Sequence, residues 1–171
     1  MLSVEDVKSR FKEVGVLKQF GTKKEVIELP NHIDDEDGEQ ILYACSAMLD
    51  GNTWLMVCTD RKLLFLDKGM VYGLKKNEIR LSKVNSVNYQ AGMVLGKIFV
   101  YHGSACMKLE AIDKHALKPM VKSINEALKK YNSNLSQPAS FNNQNYDKIV
   151  EQNEKIIMLL SSILDEIKKI K

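Results

Sequence analysis

Apolar residues change their spacing twice along this chain, and each change marks a new kind of element. Near the start, Val4, Val7, Phe11 and Val14, with Val16 or Leu17, recur at helical spacing. They predict an amphipathic helix over 3–20, capped by Ser3, with Glu5 and Asp6 in the first turn and Gly21 as its stop. Lys23 to Leu29 adds a helical turn or two, halted by Pro30. An acidic stretch follows, Asp34-Asp35-Glu36-Asp37-Gly38-Glu39, which reads as a solvated loop without the spacing of an EF-hand.

From Gln40 the pattern becomes that of short strands. Runs at Ile41–Leu49, Trp54–Thr59, Lys62–Leu66, Gly73–Leu81, Val84–Gln90, Gly96–Tyr101 and Ala105–Ile112 are separated by turn-like residues. Among the separators, Asp50-Gly51-Asn52 is a strong hairpin signal. Seven short strands at close spacing predict a small sandwich or barrel. Helical spacing then returns: Leu117, Met120, Val121, Ile124 and Leu128 share one face, which Tyr131 extends, and Pro119 is expected in the first turn.

Asn132 to Asn145 is polar, uncharged and poor in core residues, as a linker is. The chain therefore divides into an N-terminal helical segment (1–30), a β-rich domain (31–131), a linker (132–145) and a terminal helix (146–171). In that helix Ile149, Ile156, Ile163 and Ile170 recur every seven residues, and Tyr146, Asn153, Leu160 and Ile167 form a second series. Placing the Tyr-Asn-Leu-Ile series at a and the isoleucines at d gives a coiled-coil register. Val150, Ile157 and Leu164 at e, and Leu159 at g, widen the apolar face beyond a two-stranded seam. Leu160 at a before Ile163 at d favours three or four strands, and Asn153 is a polar insert that fixes register. The helix is expected to build a homo-oligomer, and folding back onto its own domain is the alternative.

Composition narrows the function. Of 171 residues, 44% are hydrophobic and 27% charged, so a core can form, and a net charge of +3 is too small to imply nucleic acid or membrane by itself. No apolar run has the length of a membrane span, and no secretory signal opens the chain. Cys45, Cys58 and Cys106 all sit in strand-like runs, as buried free thiols do; a cytoplasmic location fits.

Candidate chemistry is sparse. His32, His102 and His115 lie apart from one another and from the cysteines, and they read as loop or surface residues. The glycine pairs Gly69/Gly73 and Gly92/Gly96 read as turns at strand edges and not as phosphate cradles. No nucleophile, base and orienting group assemble, so no enzyme, metal or cofactor is expected. One basic stretch stands out, with Lys75, Lys76, Arg80 and Lys83 as a possible rim for anions or a partner. The same residues also suit a solvated edge strand. Aromatic residues are not interleaved there, which excludes a stacking surface for single-stranded nucleic acid.

The segment Trp54-Leu-Met-Val-Cys-Thr-Asp-Arg-Lys-Leu-Leu-Phe-Leu-Asp-Lys-Gly69 resembles the Thr-Asp-x-Arg/Lys signature of bacterial pleckstrin-homology-like domains, most of all the YokE-like group. Gly21-Thr-Lys-Lys-Glu-Val-Ile-Glu-Leu-Pro30, Gly38-Glu39-Gln40-Ile41, Leu81 to Val87 and the closing helix at 119–131 fit in the same order. The resemblance covers about residues 20–131. It implies a seven-stranded PH-like barrel of two near-orthogonal sheets, capped by a C-terminal helix. Such genes are often carried by phages or prophages, which implies a host protein, such as a defence nuclease, as partner. Eukaryotic relatives that bind phosphoinositides carry basic residues at the first hairpin. Here Met48-Leu-Asp-Gly-Asn-Thr53 has none. The expected function is an oligomeric, non-enzymatic protein-interaction module; the alternative is a membrane adaptor using the basic rim on anionic lipid.

Overall fold

The computed structural model describes residues 2–16, 21–69 and 73–136. The predicted terminal helix, with its seam residues Ile149, Asn153, Ile156, Leu160, Ile163, Ile167 and Ile170, lies outside the described residues. The seven expected strands are present: β1 (Ile41–Leu49), β2 (Asn52–Thr59), β3 (Lys62–Lys68), β4 (Leu74–Arg80), β5 (Val84–Ala91), β6 (Leu95–His102) and β7 (Ala105–Asp113). They are antiparallel, in the order β4-β3-β2-β1-β7-β6-β5. The barrel is not closed. A single register pair, Met48 with Glu110, joins β1 to β7, and β4 and β5 are the two free ends. The hairpin signal is met at Asp50 and Gly51, whose φ angles of 50° and 78° give the left-handed pair that a two-residue loop between Leu49 and Asn52 requires.

β2 and β3 show no polar alternation because both faces of their sheet are covered. Trp54, Met56, Cys58, Leu63 and Phe65 point towards the second sheet, formed by β5–β7. Leu55, Val57, Leu64 and Leu66 point the other way, onto Val7 and Phe11 of α1 (Val4–Glu13) and onto Leu29, which follows α2 (Lys23–Glu28). Side chains this deeply buried contribute roughly 1.5–3 kcal/mol each. The N-terminal helices are thus part of the β-domain's packing. Arg10 Nε donates to the Ile41 carbonyl at 2.8 Å, and Glu25 Oε1 accepts the Lys68 amide at 2.7 Å.

α1 begins where expected, with Ser3 and Asp6 in a reciprocal capping box. It ends at Glu13 and does not run to residue 20. Gly15, at φ 72°, takes the left-handed position, the Gly15 amide bonds to Lys12 O, and the Val16 amide bonds to Phe11 O at 2.8 Å. Gly15 is therefore the helix stop that was expected at Gly21.

α3 (Lys114–Ser136) corrects both predicted ends of the closing helix. It starts earlier because Asp113 Oδ1 caps the His115 amide at 2.7 Å and Val94 O accepts the Lys114 amide. Pro119 consequently falls inside the helix, beyond the first turn. It runs later because Asn132 to Ser136, expected as linker, continue the helix. Its buried stripe is Ala116, Leu117, Met120, Val121, Ile124 and Ala127. β6 passes so close to this helix that a Cβ on Gly96 would lie 2.6 Å from Leu117 Cδ2 and 2.8 Å from Gln90 O.

The Thr-Asp-Arg-Lys residues close the β2–β3 turn onto the loop before β1. Thr59 is fully buried; its hydroxyl donates to Glu39 Oε1 at 2.6 Å and accepts the Arg61 and Lys62 amides at 3.1 and 3.0 Å. The other Glu39 oxygen accepts the Asp34 amide at 2.8 Å and pairs with Lys62 Nζ at 3.3 Å. Asp60 Oδ1 accepts the Gln40 amide, while Arg61 pairs with Asp34 and Asp37. The acidic loop is solvent-exposed over residues 34–38, as expected, and is tied to the turn through Glu39, Asp34 and Asp37.

Three consequences can be measured. Thr59→Val should lower unfolding free energy by about 2–3 kcal/mol in urea titration, because it leaves a buried carboxylate and two amides without their partner. Gly96→Val should cost about 1–3 kcal/mol, read as a lower Tm, since backbone flanks the clash. The third concerns His32, whose Nε2 is buried without a hydrogen-bond partner. Burial first, then nearby Lys76, holds its pKa below the ordinary 6.5. The unfolded chain therefore binds the proton first, and stability should fall as pH drops below about 6.5, before the carboxylates titrate. His32→Gln should flatten that segment of the pH–stability curve.

Candidate binding surface

The proposed basic rim maps onto β4 and the 3₁₀ turn Leu81–Lys83 that follows it, the charged free end of the first sheet. Strand alternation separates its members. Lys75 stands on the side of buried Ile79, whereas Lys76 and Arg80 stand on the side of the N-terminal helices. Two of the cations already have partners: Lys75 pairs with Asp67 at 3.8 Å and Lys76 with Glu78 at 3.3 Å. Among the described residues, Arg80 and Lys83 have no ion-pair partner within 4.0 Å. The four residues do not converge on one cradle.

Other candidates from the sequence separate as well. Cys45 and Cys58 are buried, and burial pushes both thiols up to about 12, so they are inert at neutral pH. Cys106 departs from the expectation of burial: it is exposed on the outer face of β7, opposite Tyr101. Among the described residues no group of His, Cys, Asp or Glu could hold a metal ion, and no helix is long and apolar enough to cross a membrane.

The two most exposed large apolar residues among those described lie elsewhere, in the loop between β5 and β6, and Leu95 opens β6 next to them. Met93 is 92% and Val94 69% exposed, and Leu95 is about half exposed. The Lys114 amide on Val94 O fixes this tip beside the start of α3. Tyr89, also exposed, is on the inner side of β5 with Val87, past the edge of the core. Beyond it runs a groove of about 520 Å³ between β5 and α3, lined by Tyr89, Lys118, Val121, Lys122, Glu126 and Lys129. Lys122 pairs with Glu126 at 3.7 Å. The groove thus has an apolar floor, a lysine-rich helical wall and a strand edge.

The two strand edges differ in chemistry. β4 carries Lys75, Lys76, Glu78 and Arg80, as strands that must avoid pairing do. β5, Val-Asn-Ser-Val-Asn-Tyr-Gln-Ala, has no charged residue and no proline. In sequence Gly92 to Gly96 reads as a turn or bulge, which hides this surface. The signal was Met-Val-Leu at a hairpin tip, where polar residues are the norm.

The family described as bacterial PH domain matches residues 36–126. Among solved structures, a pleckstrin homology domain from Shewanella amazonensis SB2B, a crystal structure at 1.99 Å resolution, is similar at 18% identity. The similarity covers 64% of this chain and 96% of that one, with a TM-score of 0.40. No functionally curated protein matches the chain. With more than half of its length inside the family match, and with the strand order and closing helix described above, this chain belongs to the bacterial PH domain family.

Proposed function

We propose that the chain is a non-enzymatic protein-interaction module that offers the β5–α3 side of its PH-like domain to a protein partner, with several copies gathered by the terminal helix. The observation that carries this reading is the contiguous apolar tip Met93-Val94-Leu95 with Tyr89, on a domain whose first sheet is covered on both faces. Exposed apolar groups of this kind mark interaction sites. Anionic lipid at the basic rim is the weaker reading, because Lys75 and Lys76 are engaged by Asp67 and Glu78. The heptad series at Ile149, Ile156, Ile163 and Ile170 supports self-association, which converts a weak single contact into avid binding. In a phage-borne gene the partner would be a host protein such as a defence nuclease.

Two measurements test this. Light scattering of the full chain should give about three or four times the monomer mass, and Leu160→Asp with Ile163→Asp should give folded monomers; a monomeric parent chain would remove the avidity argument. A photo-cross-linking residue at Val94 should join the protein, in its native cells, to a discrete partner that Leu95→Asp abolishes, whereas the same residue at exposed Lys24 should not. Binding to phosphatidylglycerol vesicles that is lost in Leu95→Asp, with no such protein cross-link, would instead make the tip a membrane contact.

A further inference from the structure

Resting on the protein-interaction reading, we infer that the partner is held as an added β-strand: an extended acidic segment pairs with the free edge of β5, and its carboxylates meet the lysines of α3. Three observations converge on this occupant. β5 is a terminal strand of the sheet, so it presents unpaired backbone groups, and unlike β4 it carries no charge to repel a further strand. A strand laid beside it has its inward side chains over the groove, where Tyr89 and Val121 supply apolar contact. The wall of that groove is basic: Lys118 and Lys129 have no ion pair among the described residues, and Glu126 is the acidic group that lines it.

The spacing suits the chemistry. Lys118 and Lys122 are one helical turn apart, about 6 Å along the axis. Alternate residues of a strand, which share a face, are about 6.6 Å apart. On a strand that runs alongside α3, carboxylates at alternate positions can therefore face Lys118 and Lys122, and the wall from Lys118 to Lys129, about 16 Å long, accommodates about five strand residues. Main-chain pairing supplies affinity in such additions, and alternate side chains supply selectivity. A lysine-bearing or alternating-charge strand would meet repulsion at the same wall.

The probe is a synthetic pair: Thr-Glu-Val-Glu-Val-Glu-Thr and its counterpart with lysine at each glutamate. Both are titrated into the full-length protein, labelled at exposed Cys106 on the outer sheet face. The acidic peptide should bind, with an affinity that falls as salt is raised, and should slow amide hydrogen exchange in β5 and not in β4. Lys118→Glu with Lys122→Glu should weaken it by about tenfold or more and turn the preference towards the lysine peptide, with thermal unfolding checked for an intact fold. Equal binding of both peptides, no binding of the acidic one, or binding without protection of β5 would overturn strand addition. If strand addition fails while the Val94 cross-link persists, the partner docks by another mode on the same surface; if both fail, the protein-interaction reading falls too.

Discussion

The hydroxyl of Thr59 and the carboxylate of Glu39 meet at 2.6 Å in a site closed to water, and much of the domain's geometry follows from that contact. A buried carboxylate is tolerated only where its oxygens are satisfied. Thr59 and the Lys62 ammonium, both from the β2–β3 turn, do this together with the Asp34 amide of the loop before β1. The loop before β1 is thereby locked to the β2–β3 turn, which sets where β1 begins beside β2. The family signature at this turn is a tie between backbone segments. Thr59 is buried and occupied there, whereas Arg61 stays exposed on its pairing with Asp34 and Asp37.

The remaining polar groups are distributed unevenly. Sheet one is covered by helices on one side and by sheet two on the other, and its free end is guarded by paired charges on β4. Sheet two has an open outer face, an uncharged end strand and an apolar hairpin tip. Two opposing strand ends in one small domain have been given opposite treatments. Such a contrast is difficult to explain as a general need for solubility, since that need applies equally to both.

Strand count, the Asp50-Gly51 hairpin and the buried stripe of α3 were legible because each depends on local spacing or local φ. The sheet order and the covering of sheet one by α1 and α2 were not, since the double-sided burial of β2 and β3 looks in sequence like any apolar run. The helix ends failed for a different reason: Gly15 and Gly21 are equally good stops in sequence, and the chain turns at the first, where the Val16 amide closes onto Phe11 O. Pro119 was placed in a first turn on propensity, but the Asp113 cap and the Val94 carbonyl start the helix before it. Of the candidate site residues, the four rim cations could be listed but neither their separation onto two faces nor their ion pairs, because cross-strand partners such as Asp67 and Lys75 are set by register. The groove could not be found at all, for it joins a strand to a helix about thirty residues later.

The lone register pair between Met48 and Glu110 has a kinetic meaning. Everything on either side of that seam is built from neighbours in the chain: β1 to β4 run as consecutive hairpins, and so do β5 to β7 before α3. Each half has low contact order and can organise locally, whereas joining them requires closing the loop from Met48 to Glu110, which contains β2 to β6. Because both sheets and α3 contribute to one core, neither half buries its inner face until the seam has closed.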